Sequence, residues 1–237
     1  MKLALIGRGA MGQLVAARAR EEGHEIALVI SSRDGARSTE DLAAELRAAE
    51  VAIDFSTSAA VLNNLKACAL AGVPLVEGTT GWGDAQAEAL GFVRERDGAL
   101  VYGANFSIGV NIFYRIVAHA ADLFQAAGDY APFIEEAHHS RKRDAPSGTA
   151  LRLKDLVAAR FGQDISVAST RAGHIPGTHR VGFDSIADQI TLEHTARSRE
   201  GFASGALAAA RWIQGRRGVY EFSEVIDDIL KAVKSDK

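Results

Sequence analysis

The chain begins with a short apolar run that ends in a glycine-rich turn. Leu3–Ile6 indicates a buried strand, and Gly7–Gly12 follows it with the pattern G-x-G-x-x-G. A helix comes next, with apolar residues at Met11, Leu14 and Val15. In a strand–turn–helix unit, glycines at this spacing allow a tight turn, close approach of a pyrophosphate and helix–strand packing. The feature predicts a dinucleotide-binding domain, and a glycine-rich turn without a nucleotide is the simpler alternative.

The next part of the chain alternates between strands and helices. Further strands are predicted at His24–Ile30, Glu50–Phe55, Val73–Val76 and Ala99–Tyr102, with helices between most of them. This alternation is typical of a parallel sheet with helices on both faces. We therefore expect a Rossmann-type α/β domain over residues 1–106.

The pattern changes after about Asn105. A long helix (109–126), a strand (130–137) and a second helix (147–161) precede three successive strands at 165–171, 180–186 and 189–196. A helix at 201–214 follows. Strands in succession indicate a mixed or antiparallel sheet, so residues 107–215 are predicted to form a separate α+β domain. The amphipathic end of the chain, residues 216–237, is expected to pack back on the first domain.

Composition excludes several classes of protein. The chain has 237 residues and a net charge of −3, so its basic cluster is local and does not indicate nucleic-acid binding. No apolar run has the length of a membrane span, and the opening run is too short for a signal-peptide core. We expect a cytoplasmic protein. Cys68 is the only cysteine and is predicted to be a buried thiol.

The residues after the second strand bear on the choice of nucleotide. An acidic residue at this point accepts hydrogen bonds from the ribose of NAD, whereas this chain has Ser31, Ser32 and Arg33. Hydroxyl and guanidinium groups suit a 2′-phosphate, so NADPH is predicted to serve at least as well as NADH. A solvated turn is the alternative. Two further turns, Gly78–Gly81 and Gly103–Phe106, follow strands and lie where ligands of open α/β sheets bind.

The run Glu136–Ala150 has the sequence E-A-H-H-S-R-K-R-D-A-P-S-G-T-A. Two histidines and Lys142 supply transferable protons, and a helix start follows at Pro146. Backbone N–H groups of Ser147, Gly148 and Thr149 could bind a carboxylate. Proton donors beside an anion-binding turn indicate a site for a small acidic substrate. Arg141 and Arg143 are left as a solvated face.

This run resembles the signature of the dihydrodipicolinate reductase family. The resemblance covers essentially the whole chain, including the glycine loop, Gly78–Gly81, Asn105–Asn111 and Arg171–Gly173. It implies a Rossmann domain, a substrate-binding and tetramerisation domain, and use of NADPH or NADH. It also implies hydride transfer to a cyclic imine with two carboxylates, in lysine and diaminopimelate biosynthesis, by a homotetramer without a metal.

By position, the resemblance assigns proton transfer to His138 and Lys142, and leaves open which is the immediate donor. It assigns the substrate carboxylates to His139 and the turn Ser147–Thr149. The predicted cofactor contacts, including the two after the second strand, are Gly7, Arg8, Gly9, Ala10, Met11, Gly12, Ser32, Arg33, Gly78, Thr79, Thr80, Gly103, Ala104, Asn105 and Phe106.

The chain departs from the family pattern at two points. Ala10 stands where the glycine loop usually has arginine, and the connector from Ser31 to Glu50 is short. Both departures concern the adenosine side and leave the substrate motif intact. Two other functions remain open: another two-domain dehydrogenase of aspartate-derived metabolism, and a nucleotide-sensing module without catalysis.

Overall fold

The fold is built from ten strands and eight helices in the part of the chain that the structure describes. The computed structural model describes residues 1–31 and 37–235, with side chains as far as residue 231. In chain order the elements are β1 Lys2–Ile6, α1 Ala10–Glu21, β2 Glu25–Ile30, α2 Thr39–Leu46, β3 Val51–Asp54, α3 Ser58–Ala71, β4 Leu75–Glu77, α4 Gly83–Glu95, β5 Ala99–Tyr102, α5 Ile108–Ala127, β6 Ala131–His138, α6 Gly148–Phe161, β7 Val167–Arg171, β8 Thr178–Asp184, β9 Gln189–Thr195, α7 Glu200–Ile213, β10 Gly218–Glu221 and α8 Phe222–Ser235. They divide into two units, Met1–Ile108 with Arg199–Lys237, and Gly109–Ser198.

The first unit contains a six-stranded parallel sheet. Its strand order is β10-β5-β4-β3-β1-β2, and every neighbouring pair is parallel. Strands β1, β3 and β4 are almost entirely buried, as expected for strands covered on both faces. Helices α1, α7 and α8 cover one face and helices α2, α3 and α4 the other. The predicted Rossmann-type α/β fold is confirmed.

Helix α7 lies in the first unit, although its residues were expected in the second domain. It is rich in alanine, packs against α1 and contacts strands β3, β4 and β5. A Cβ added at Gly205 would lie 1.8 Å from the Phe106 carbonyl oxygen, so this helix needs a glycine to pack so closely. The boundary therefore falls near residue 199 instead of 215.

The second unit contains a four-stranded mixed sheet in the order β7-β6-β8-β9. Strand β6 is parallel to β7 and antiparallel to β8, which in turn is antiparallel to β9. Helices α5 and α6 pack on one face around a core that includes Val117, Ile134, Leu153 and Phe183. The expected α+β domain with a mixed sheet is thus present. None of the described helices combines the length and the apolar character that a membrane span requires.

Two carboxyls are completely buried at the ends of adjacent strands in the first unit. Asp54 ends β3 and Glu77 ends β4, and both are 0% exposed. Asp54 accepts hydrogen bonds from the Ser56 backbone N–H at 2.7 Å and the Asn64 amide at 2.7 Å. Glu77 Oε1 accepts from the Thr79 backbone N–H at 2.7 Å. Burial raises the pKa of both carboxyls, and the nearby Asp54 raises that of Glu77 further.

Replacing Glu77 by glutamine is expected to stabilise the protein at alkaline pH. The folded state keeps a proton that the unfolded chain releases, so this stability is complete below the unfolded pKa and is lost as pH rises through the folded pKa. Glutamine keeps an acceptor for Thr79 and offers an N–H to Asp54, so it removes this loss. Calorimetry should find equal melting temperatures for Glu77→Gln and wild type near about pH 4, and a higher one for the variant near about pH 9.

The exposed Glu95→Gln on helix α4 is the matched control and should not change the pH dependence of melting. If Glu77→Gln melts below wild type at alkaline pH, burial does not keep a proton on Glu77 in the folded state.

Candidate active site

The glycine loop connects β1 to α1 and leaves no room for side chains at two positions. Gly7 has φ 104°, and a Cβ there would lie 2.3 Å from the Phe55 carbonyl oxygen. A Cβ at Gly12 would lie 2.0 Å from the Gly7 carbonyl oxygen. A Cβ at Gly9 would meet no atom within 4 Å. Gly9 also precedes the first turn of α1, whose amides have no acceptor within the helix.

A cavity of about 590 Å³ opens beside this loop. The loop residues Gly7, Arg8 and Gly9 line it, together with Ser31 and Arg37. The volume is within the range of small-molecule sites. Arg37 is held by Glu45, whose Oε1 lies 2.8 Å from the arginine Nε. Arg37 was not among the predicted cofactor contacts. The predicted contacts Ser32 and Arg33 lie outside the described residues.

A second cavity, of about 290 Å³, lies at the carboxyl ends of β4 and β5. Four predicted cofactor residues line it: Thr79, Thr80, Gly103 and Ala104. Two further predicted contacts, Asn105 and Phe106, do not line this cavity. Asn105 Oδ1 accepts a hydrogen bond from the Ser107 backbone N–H at 2.9 Å, and the Phe106 side chain is buried in the core against Phe222.

In the second unit, strand β6 places Glu136 and His138 on the same buried face. His138 Nδ1 lies 2.5 Å from Glu136 Oε2, and neither side chain is more than 11% exposed. Since an ionised carboxylate only accepts, the imidazole donates through Nδ1, and its Nε2 is left for other partners. A Cβ at Gly177 would lie 3.0 Å from that Nε2, so glycine keeps this side of the ring open.

The carboxylate of Glu136 also binds Arg171. Both terminal nitrogens of the guanidinium donate to it, Nη1 to Oε2 at 2.9 Å and Nη2 to Oε1 at 2.6 Å. Burial alone would raise the pKa of Glu136, but hydrogen bonds from Arg171, Ser169 and His138 lower it to about 2. The carboxylate is therefore ionised at neutral pH. The pKa of His138 is lowered, chiefly by burial and against the effect of Glu136.

A second buried histidine joins this cluster from strand β8. The rings of His138 and His179 are 5.1 Å apart in an edge-to-face arrangement. His179 Nε2 lies 2.9 Å from the Ser147 hydroxyl, which also accepts a hydrogen bond from the Ala150 backbone N–H as the N-cap of α6. Burial and the nearby His138 lower the pKa of His179 to about 4, so it is neutral at physiological pH.

The turn after β6 carries the other predicted substrate residues. Lys142 Nζ lies 2.8 Å from an Asp144 carboxylate oxygen. His139 is partly buried, and its Nδ1 has no hydrogen-bond partner within the described part of the chain. Gly148 and Thr149 form the first turn of α6, so their amides have no acceptor within the helix. Arg141 and Arg143 are exposed, as expected of a solvated face.

The geometry also bears on metal binding. Ligand atoms of Glu136, His138 and His179 lie within 4.8 Å of one another. Both oxygens of Glu136 already bind Arg171, and one of them also binds His138. A cation at this position would have to displace a guanidinium, so this set does not favour a metal.

Three members of the cluster were not predicted as site residues: Glu136, Arg171 and His179. For Glu136 a signal was present, because residues two apart in a strand share a face, and Glu136 and His138 have this spacing. The other two come from β7 and β8, and only the sheet pairing brings them to β6.

The first unit, with a glycine-rich loop after its first strand, belongs to the Rossmann class, and the second holds a buried carboxylate–histidine pair suited to proton transfer. Together they define a two-domain oxidoreductase. A family model described as "Dihydrodipicolinate reductase, N-terminus" matches residues 1–106, and one described as "Dihydrodipicolinate reductase, C-terminus" matches residues 109–226. The chain belongs to the dihydrodipicolinate reductase family.

Curated relatives agree with this assignment. A 4-hydroxy-tetrahydrodipicolinate reductase from Christiangramia forsetii is 34% identical over 98% of this chain and 100% of the relative. A protein of the same name from Thiobacillus denitrificans is 36% identical over 86% of this chain and 83% of the relative.

Solved structures share the fold. The dipicolinate-bound dihydrodipicolinate reductase from Paenisporosarcina sp. TG-14 superposes with a TM-score of 0.79 at 22% identity, over 95% of this chain and 99% of that one. A probable dehydrogenase from Thermotoga maritima gives a TM-score of 0.61 at 8% identity, over 100% of this chain and 98% of that one. At these identities the likeness concerns the fold.

Proposed function

We propose that this protein reduces 4-hydroxy-tetrahydrodipicolinate to tetrahydrodipicolinate with NADPH or NADH, in the cytoplasmic route to diaminopimelate and lysine. Membership of the family supports the activity. The observation that carries the chemistry is the buried Glu136–His138 pair, in the same unit as a helix N-terminus suited to carboxylates. A nucleotide-sensing module would have no use for such a pair.

The residues of the first unit fit a dinucleotide. Gly9 leaves open space where a pyrophosphate would approach the backbone, and the first-turn amides of α1 suit its negative charge. The larger cavity adds Ser31 and Arg37, which are suited to the adenosine side, and the smaller one adds Thr79 and Thr80. When bound, the reduced nicotinamide would supply a hydride to the substrate ring.

The second unit supplies the groups for the two carboxylates. Ser147 caps α6 with its side chain and leaves the Gly148 and Thr149 amides to bind one carboxylate. Gly148 has open space where a Cβ would be, so a carboxylate can approach the backbone. The orphaned Nδ1 of His139 is suited to the second carboxylate.

Proton transfer falls to His138 and Lys142. Hydride addition to a conjugated imine builds negative charge on the ring, which a proton must quench. The ionised Glu136 stabilises the protonated form of His138, and this imidazolium becomes neutral when it gives its proton to the ring. Lys142 is held by Asp144 as an ammonium group and stabilises the same charge.

A coupled assay with freshly generated substrate tests the activity. We expect substrate-dependent oxidation of the reduced nucleotide. Pyridine-2,6-dicarboxylate, a planar mimic of the product ring, should inhibit competitively with substrate because it presents both carboxylates. Absence of nucleotide oxidation with both NADPH and NADH would refute the proposal. Absence of dicarboxylate binding by calorimetry would refute the carboxylate site alone.

NADPH is expected to serve at least as well as NADH. Arg37 lines the larger cavity, and a guanidinium suits a 2′-phosphate. Arg37→Ala should therefore raise the KM for NADPH about tenfold and change the KM for NADH much less. Arg20→Ala, an exposed arginine on α1, is the control. A wild-type enzyme that strongly prefers NADH would contradict this prediction.

We also propose a homotetramer assembled through the second unit. One face of its sheet is covered by α5 and α6, whereas the other exposes Arg180 and Glu193, which form an ion pair at 2.8 Å. A second copy could cover this face. Light scattering coupled to size exclusion should give four times the mass of the chain, and a monomer would refute the assembly.

A further inference from the structure

Arg171 stands directly beside His138 in the sheet. Strands β6 and β7 are parallel, and their register pairs His138 with Arg171. The backbone is tied at the same place, because the Ala172 N–H donates to the His138 carbonyl at 3.1 Å. The pairing therefore fixes the guanidinium relative to the histidine.

The guanidinium binds both strand β6 and the turn that follows it. Besides its two bonds to Glu136, Arg171 donates to the Thr170 carbonyl at 2.7 Å and to the Asp144 carbonyl at 2.6 Å. Its side chain is only 17% exposed. A bidentate pair of this kind fixes direction as well as charge.

The bond to the Asp144 carbonyl concerns Lys142. The carboxylate of the same aspartate holds the Lys142 ammonium at 2.8 Å. Arg171 thus contacts Asp144, the partner of Lys142, through a backbone oxygen. It contacts Glu136, the partner of His138, through the carboxylate. A lysine at this position would keep the charge but could not bridge both partners with a planar fork.

We propose that Arg171 is a positioning residue for proton transfer, which orients His138 through Glu136 and fixes the Lys142 segment through the Asp144 carbonyl. The inference rests on the proposed function, because it assumes that His138 and Lys142 act on the same substrate. Arg171 itself acts through its neighbours.

The charge of Arg171 also acts on the pKa of His138. Of the groups facing His138, Glu136 on β6 raises its pKa, while Arg171 on β7 and Lys142 on the turn lower it. His179 on β8 is neutral at physiological pH, since its pKa is about 4. Removing the charge of Arg171 therefore raises the pKa of His138, and the protonated imidazole persists to higher pH.

Three variants test the proposal. Arg171→Met is expected to lower kcat by about 10²-fold, since small misplacements of reacting groups cost about this much. It should leave the nucleotide dissociation constant unchanged and move the alkaline limb of the kcat profile to higher pH. Arg171→Lys keeps the positive charge, so the alkaline limb of its kcat profile should stay close to that of wild type. Its kcat should still fall. The double variant Glu136→Gln/Arg171→Met should be no slower than Glu136→Gln alone if Arg171 acts mainly through Glu136.

The control is Arg160→Lys, which alters an arginine that pairs with Asp122 in the same unit. It should match wild type in kcat and pH profile. Arg171→Met leaves the Glu136 carboxylate buried without its partner and could fail to fold for that reason. Glu136→Gln/Arg171→Met removes that carboxylate, and Arg171→Lys keeps a positive charge beside it. These two variants then test whether Arg171 positions the proton-transfer residues.

A measurement without substrate separates this inference from the proposed function. The His138 ring can be followed by NMR across a pH titration, with His138→Gln for assignment. In Arg171→Met, or in Glu136→Gln/Arg171→Met compared with Glu136→Gln if the single variant does not fold, a raised His138 pKa supports the inference even if the substrate proves to be different. An unchanged titration together with near-wild-type turnover overturns it.

Discussion

Replacing His138 and Lys142 together by alanine is expected to lower turnover by at least about 10³-fold. A positioned proton donor contributes about 10²- to 10⁴-fold, and the double variant removes both candidates. Glu136 would remain ionised, because Arg171 still binds it, but it would have no imidazole to orient. Stopped-flow single turnover with saturating nucleotide measures the chemical step directly.

Binding of the reduced nucleotide should survive this change. The glycine loop and both cavities described above belong to the first unit, whereas His138 and Lys142 belong to the second. Arg143→Ala is the matched control, since it removes an exposed cation from the same turn. Near-normal turnover in the double variant would refute the assignment of proton transfer to these side chains.

The two single variants distinguish the roles. If His138 is the immediate donor, His138→Ala alone should approach the loss of the double variant, and Lys142→Ala should lose less. The opposite order would assign the proton to Lys142. Effects that act on one step are not additive, so the double variant should fall short of the product of the two losses.

Hydrophobic periodicity and turn residues were enough to predict most of the fold. Buried parallel strands have continuous apolar runs, and such runs are present at β1 and β3. Two short elements were not predicted. Helix α2 has eight residues, and β10 has four that are only partly buried, so neither carries enough periodicity to stand out.

The placement of helix α7 could not be predicted from its own sequence. An alanine-rich helix packs equally well on many surfaces, and periodicity does not specify its partner. The close contact between Gly205 and the Phe106 carbonyl shows which partner it has. That contact joins positions far apart in the sequence, and only the folded chain brings them together.

The proton-transfer residues were predicted because they lie within one contiguous run. Their supporting residues were only partly accessible to the same reasoning. Glu136 shares a strand face with His138, but Arg171 is 35 residues from Glu136, and its contribution depends on the register of β6 with β7. A local pattern identifies the groups that carry protons and their partners on the same run, whereas Arg171 and His179 come from neighbouring strands.

Of two substitutions in the glycine loop, one is expected to weaken folding and the other to weaken nucleotide binding. Gly12→Ala should destabilise the protein by about 1–3 kcal/mol, as overpacking does, because its Cβ would lie 2.0 Å from the Gly7 carbonyl oxygen. For a chain of this size that corresponds to a fall in melting temperature of about 2–4 °C per kcal/mol. Helix α1 would have to move away from the loop.

Gly9→Ala should fold almost as well as wild type, since its Cβ meets no atom within 4 Å, and should instead raise the dissociation constant of NADPH about tenfold or more. The open space at Gly9 is where a pyrophosphate would contact the backbone, and a methyl group there would exclude it. Calorimetry for melting and fluorescence titration for the nucleotide separate the two effects. If Gly9→Ala leaves both unchanged, the loop is only a turn between β1 and α1. If it weakens binding without destabilising the fold, the loop binds the cofactor.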